Sequence, residues 1–215
     1  LSELPYGQYH EIRTSPVVRF AEDGLMPATL RRVVTAHDEA GAAIILSDAE
    51  VAMAPFPGAD AKGAVVWTTG SLPADNSADV EGDRRDAGAS LKGGSVMRVT
   101  EFEPGFVSPM HRTLSIDYAM VLSGELEMEL DSGVSVRLGP GDTVVQRGGA
   151  HRWRNPSLEQ PCRIVICMIE AHPVTIGAKR LGQTPTWKMA AELIWARLGR
   201  SRGNAGASDG MGRAA

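Results

Sequence analysis

From residue 95 onward the chain runs in short apolar–polar steps. Segments 96–103, 116–122, 125–130, 134–138, 143–146, 151–154 and 162–169 are rich in Val, Ile, Leu and Met, and Gly, Pro or Asp-Ser-Gly turns separate them. Runs of this length with turn signals between them predict strands. Segment 125–130 (Glu-Leu-Glu-Met-Glu-Leu) alternates strictly, as a strand with one wet face does. Asp131-Ser132-Gly133 supplies a hairpin loop with a glycine for a left-handed position. Seven short strands at such spacing call for a sandwich, a jelly roll or a barrel.

The flanks read differently. Runs 30–35 and 43–47 surround a polar, Gly-containing turn and predict a hairpin that extends the sheet, and 64–69 is one more strand. Pro5, Pro16 and Pro27 break any helix near the start, so 1–30 is expected as an extended arm. Residues 71–94 are polar, charged and aperiodic, either a mobile lid or a disordered stretch. Beyond Pro173, Thr184-Pro185 forms an N-cap and first helical position. Trp187, Ala191, Ile194, Trp195 and Leu198 then share one helical face, expected to pack on the barrel. From Gly199 little remains to bury, and a disordered tail is expected. The division is therefore arm, extra strands and polar loop over 1–94, barrel core over 95–172, helix region over 173–200 and tail over 201–215.

Composition sharpens this picture. The 24 Gly and 13 Pro make about 17% of 215 residues, against roughly 12% in average usage. That turn-rich excess reinforces an all-β reading. The length suits one domain with an arm. A net charge of −4 without a basic run argues against nucleic acid as a partner. No apolar stretch reaches a membrane span, and the start lacks the order of a signal peptide, so a cytoplasmic globular protein is expected. Cys162 and Cys167 fall on opposite strand faces and are expected as buried, inert thiols.

Candidate chemistry gathers at His111, Thr113 and Asp117, which share one face of an undistorted strand by their even spacing. Downstream, His151, Trp153 and Asn155 share a second face. The sequence resembles the cupins in two motifs. Gly105, His111-Arg112-Thr113, Asp117 and Gly124 match the spacing of the first. Gly141-Asp142, Gln146-Arg147-Gly148, His151 and Asn155 match the second. The likeness spans about 95–170. Thr113 replaces the second histidine of the first motif, and Asp117 replaces its glutamate.

The resemblance implies a single jelly-roll barrel, a homodimer, and a site at the barrel mouth. Carried over residue by residue, it leaves His111, Asp117 and His151 as ligands of a divalent metal. Two imidazoles and one carboxylate suit Fe, Zn, Mn or Ni with positions left open. The alternative is a barrel without metal, in which His111 and His151 act as acid/base groups or bind a ligand. Thr113, Trp153 and Arg147 are the expected substrate contacts. Three functions follow: metal-assisted, non-redox chemistry (dehydration, decarboxylation or isomerisation) on a small oxygenated acid or polyketide-like compound; Fe(II) dioxygenation; or binding of a small ligand without catalysis.

Overall fold

The computed structural model describes residues 29–78, 81–88 and 90–184, and the regular elements within them are all strands. They are β1 (Thr29–His37), β2 (Ala43–Ala52), β3 (Ala54–Pro55), β4 (Ala61–Thr69), β5 (Ser95–Phe102), β6 (Ser115–Ser123), β7 (Leu126–Leu130), β8 (Ser135–Leu138), β9 (Thr143–Arg147), β10 (His151–Arg154), β11 (Cys162–Glu170), β12 (Thr175–Ile176) and β13 (Lys179–Arg180). The seven core strands lie within a residue or two of the expected runs. No helix among the described residues is long and apolar enough to cross a membrane.

The chain divides after Ala52 into two units. In the first, β1 and β2 form an antiparallel hairpin with a bulge at Val34/Thr35. Asp38 closes its turn, its Oδ1 accepting from the amides of Ala40 and Ala42 at 2.9 and 2.8 Å. Arg31 and Asp48 pair across the strands at 2.7 and 2.6 Å. The hairpin is a two-stranded sheet of its own.

The second unit holds an antiparallel six-stranded sheet in the order β3-β4-β5-β11-β6-β9 and a three-stranded sheet in the order β10-β7-β8. β11 lies between β5 and β6, although β5 and β6 are consecutive in the chain, a crossing that fits a jelly roll. One apolar cluster joins the two sheets: Phe102, Val121 and Ile164 from the larger meet Leu126, Leu138 and Trp153 from the smaller. Strand β6 shows the cause, since Ser115, Asp117, Ala119 and Val121 point in while Tyr118, Met120 and Leu122 point out. Met120 is 41% exposed and Tyr118 49% exposed. Cys162 and Cys167 are free thiols, and burial pushes the Cys162 thiol up to about 12.

Two glycines are required by space. Gly124 has φ +74°, and a Cβ there would lie 2.4 Å from the Pro161 carbonyl oxygen, which explains its place at the end of the first motif. At Gly63 on β4 a Cβ would lie 2.5 Å from the Phe56 ring and 2.8 Å from the Val99 carbonyl oxygen. Hydrogen alone lets the Phe56 ring lie against the strand.

An ion cluster sits on the β4-β5-β11 ladder. Arg163, 2% exposed, donates to Glu101 Oε2 from Nε at 2.8 Å and from Nη2 at 2.5 Å. Lys62 Nζ reaches Glu101 Oε1 at 2.7 Å.

The described part of 71–94 is a run of turns hydrogen-bonded to the barrel. Thr68 donates to the Gly82 carbonyl from both its amide and its hydroxyl at 2.8 Å. The Gly93 amide donates to Glu170 Oε2 at 2.5 Å. Residues 173–184, which lead up to the expected helix, hold the β12–β13 hairpin. Thr184 then pairs with Arg112, its Oγ1 accepting from the Arg112 amide at 2.6 Å. The helix expected from Thr184-Pro185 onward, all but the last two residues of the arm expected over 1–30, and the tail lie outside the described residues.

Candidate functional site

The chain between β5 and β6 zippers along β10, and this places the first histidine. The Ser108 amide donates to the Trp153 carbonyl and the Trp153 amide to Ser108 Oγ, both at 2.8 Å. Three residues on from Ser108 and two back from Trp153, His111 and His151 exchange both backbone hydrogen bonds, at 2.8 and 2.9 Å. Their rings are therefore neighbours, with centroids 4.3 Å apart. The Trp153 ring meets His151 edge-on at 5.3 Å.

Each imidazole is oriented by a carbonyl. His111 Nδ1 lies 2.9 Å from the Pro109 oxygen, and His151 Nδ1 lies 3.1 Å from the Gly149 oxygen. A carbonyl only accepts, so Nδ1 carries the proton and Nε2 is the basic nitrogen of each neutral ring. Burial pushes the pKa of both histidines down, and the neighbouring His111 adds to the effect at His151, which falls to about 4. Both rings are neutral at pH 7.

Asp117 comes from the inward face of β6 and is nearly buried. Its Oδ1 accepts from Ser115 Oγ at 2.5 Å and its Oδ2 from Thr113 Oγ1 at 3.3 Å. Burial raises its pKa, while Ser115, Thr113 and the charge of Arg98 act to lower it. Thr113, where the motif carries histidine, thus holds the carboxylate in place.

These side chains line one cavity of about 360 Å³, a size usual for small-molecule sites. Phe56, Phe102, Phe106, Trp153, Ile166 and Met168 form its apolar wall, and Arg98, Thr100, Ser108, His111, Thr113, Asp117 and His151 its polar part. Ala87 and Gly88, from the fastened turns, close one side. Of the expected site residues, His111, Thr113, Asp117, His151 and Trp153 all reach this cavity. Arg147 does not: β9 turns Gln146 inward and Arg147 out to a separate cleft of about 120 Å³ beside Arg112 and His172. The residue missed is Arg98. Strand parity carried the signal, since Arg98, Thr100 and Phe102 alternate along β5 and all face the cavity.

The side chains match the expected metal site in part. His111 and His151 offer two basic Nε2 atoms whose partner nitrogens are fixed by carbonyls, an arrangement suited to ligation. Asp117 accepts from Ser115 and Thr113, bonds that a ligating carboxylate also makes, and among the described residues no three His, Cys, Asp or Glu side chains gather as a metal site. The structure thus brings the two histidines together and does not gather Asp117 with them as a third ligand.

Asn155, the last motif residue, is structural. Its Nδ2 donates to the carbonyls of Phe102, Glu103 and Gln160 at 3.2, 3.2 and 2.8 Å, and its Oδ1 accepts from the Ser157 amide at 3.0 Å. Asn155→Ala is expected to cost about 2–3 kcal/mol by stranding these buried groups. Denaturant midpoints at constant m measure it; a loss below about 0.5 kcal/mol, the size of an ordinary surface change, would remove the pinning role.

Two antiparallel sheets enclosing a cavity with inward histidines from both motifs define a barrel of the cupin class. The comparisons agree: residues 98–169 match the family model described as the cupin domain. The chain is 39% identical over 161 residues to phomopsin biosynthesis cluster protein C' of Diaporthe leptostromiformis, covering 72% of this chain and 85% of that protein. It is 31% identical over 171 residues to the cupin-domain-containing oxidoreductase srdB of Neurospora crassa, covering 78% and 86%. A third relative, the cupin-domain-containing oxidoreductase fogC of Aspergillus ruber, is 33% identical over 156 residues, covering 70% and 77%. The chain belongs to the cupin superfamily.

Proposed function

We propose that this cupin is an enzyme of small-molecule biosynthesis that moves a proton on a compact, largely apolar, oxygenated substrate held in the barrel. The observation that carries this reading is the pair of neutral imidazoles, each with a basic Nε2, on an apolar cavity. A neutral imidazole takes a proton from a carbon or hydroxyl activated by a neighbouring carbonyl. Asp117, with its pKa raised by burial, is the group to return one. Dehydration, decarboxylation and isomerisation all need only these moves. The relatives named for biosynthesis clusters support the substrate class.

The oxidoreductase names of two relatives favour a second reading, redox chemistry on the same kind of substrate, which includes the dioxygenase expected from the motif. One experiment separates the two. Extract from source cells disrupted in this gene is incubated with purified protein, with and without dioxygen and a chelator. The first reading expects one metabolite to give a product of equal mass, or lighter by water or carbon dioxide, whatever the dioxygen supply. A product that has gained oxygen or lost two hydrogens without loss of water, formed only with dioxygen, would establish the second. His151→Ala is expected to lower turnover roughly 10²–10⁴-fold. Full turnover in that variant would overturn the proton-transfer role, and binding of a metabolite without conversion would leave a carrier.

A further inference from the structure

We propose that Arg98 is the anchor for a carboxylate on the substrate, so that the cavity selects small apolar acids over neutral molecules of the same shape. The inference rests on the cavity being the substrate site, as above.

Arg98 lies mid-strand on β5, flanked across the ladder by Val65 of β4 and Ile166 of β11. Both neighbours line the cavity with it. Its Nη2 donates to the Gly88 carbonyl. Its Nε is buried and has no hydrogen-bond partner. Asp117 is the acid that acts on Arg98 electrostatically, yet no ion pair joins the two among the described residues. The oxygens of Asp117 accept instead from Ser115 and Thr113.

A buried donor without an acceptor costs free energy, and a charged one costs more. The guanidinium bears on a cavity lined by Phe102 of its own strand, by Phe106 stacked on Phe102, and by Trp153 of β10, which suits an apolar body carrying one anionic end. A carboxylate satisfies the orphan N–H and neutralises the charge together, and the planar guanidinium matches its geometry. Lysine, a point charge on a flexible stem, does so less well. With the acid held at Arg98, the rest of the molecule extends along the apolar wall shared with the histidines.

The test uses binding rather than turnover. Benzoate and benzyl alcohol, alike in size and differing in charge, are titrated into the full chain at pH 7.5 with tryptophan fluorescence and ligand-observed NMR. Wild type is expected to bind benzoate more tightly than the alcohol. Arg98→Gln is expected to weaken benzoate about 10- to 100-fold while leaving the alcohol within about twofold, which also shows that the variant is folded. Arg98→Lys falls between. Equal affinities of wild type and Arg98→Gln for benzoate would overturn the anchor and leave the cavity as the substrate site. Failure of both probes to bind wild type would overturn the anchor and the cavity reading together.

Discussion

Glu101→Ala is expected to destabilise the protein by about 3–5 kcal/mol, the usual effect of removing one partner from a buried ion pair. Arg163 is 2% exposed, and Glu101 takes two hydrogen bonds from it and a contact from Lys62. Alanine leaves the guanidinium buried without this carboxylate. The loss is much larger than for a surface pair such as Arg84–Glu81, which is worth at most about 1 kcal/mol. The double variant Glu101→Met with Arg163→Leu removes both charges and is expected to recover most of the loss. Equilibrium unfolding in denaturant reads both. A Glu101→Ala loss under about 1 kcal/mol, the range of exposed pairs, would mean that water reaches the cluster.

The second large effect is acid sensitivity centred on the histidine pair. The His151 pKa is about 4 in the fold, against 6.5 for the free side chain, and His111 is lowered as well. Between these values the unfolded chain binds more protons than the native one, so stability rises with pH across that window. Falling from pH 6.5 to 4, the protein is expected to lose up to about 3 kcal/mol through His151, with His111 acting in the same direction. Asp117 opposes them: its raised pKa favours the native state as it becomes protonated below that value. Unfolding free energies at pH 7.5, 6 and 5 measure the slope, and His151→Gln is expected to flatten it. Equal slopes in both proteins would show that the histidine is not held neutral.

How far the sequence reveals this molecule differs by element. The core strands are legible because one face of each is buried and alternation records it, as in β6. The cavity residues His111, Thr113, Asp117, His151 and Trp153 are legible because two short motifs carry them. Arg147 misleads, since proximity to a motif does not say which way β9 faces, and its neighbour Gln146 takes the inward position. Arg98 is overlooked for the converse reason. It lies outside both motifs, and only the parity of β5 places it indoors. The cavity wall at Ala87 and Gly88 leaves no periodic trace, because backbone bonds from Thr68 and Glu170 hold those turns rather than a buried apolar face.

The exchange of main-chain hydrogen bonds between His111 and His151 bears on how such a site can evolve. Peptide groups set the spacing of the two rings, and no substitution elsewhere in the cavity alters those groups directly. Substitutions at positions 113, 117 or 98 would change what the barrel accepts while leaving positions 111 and 151 in register. A different side chain at either of those two positions would inherit the same place beside its neighbour, because the main chain supplies the address and the residue only the chemistry.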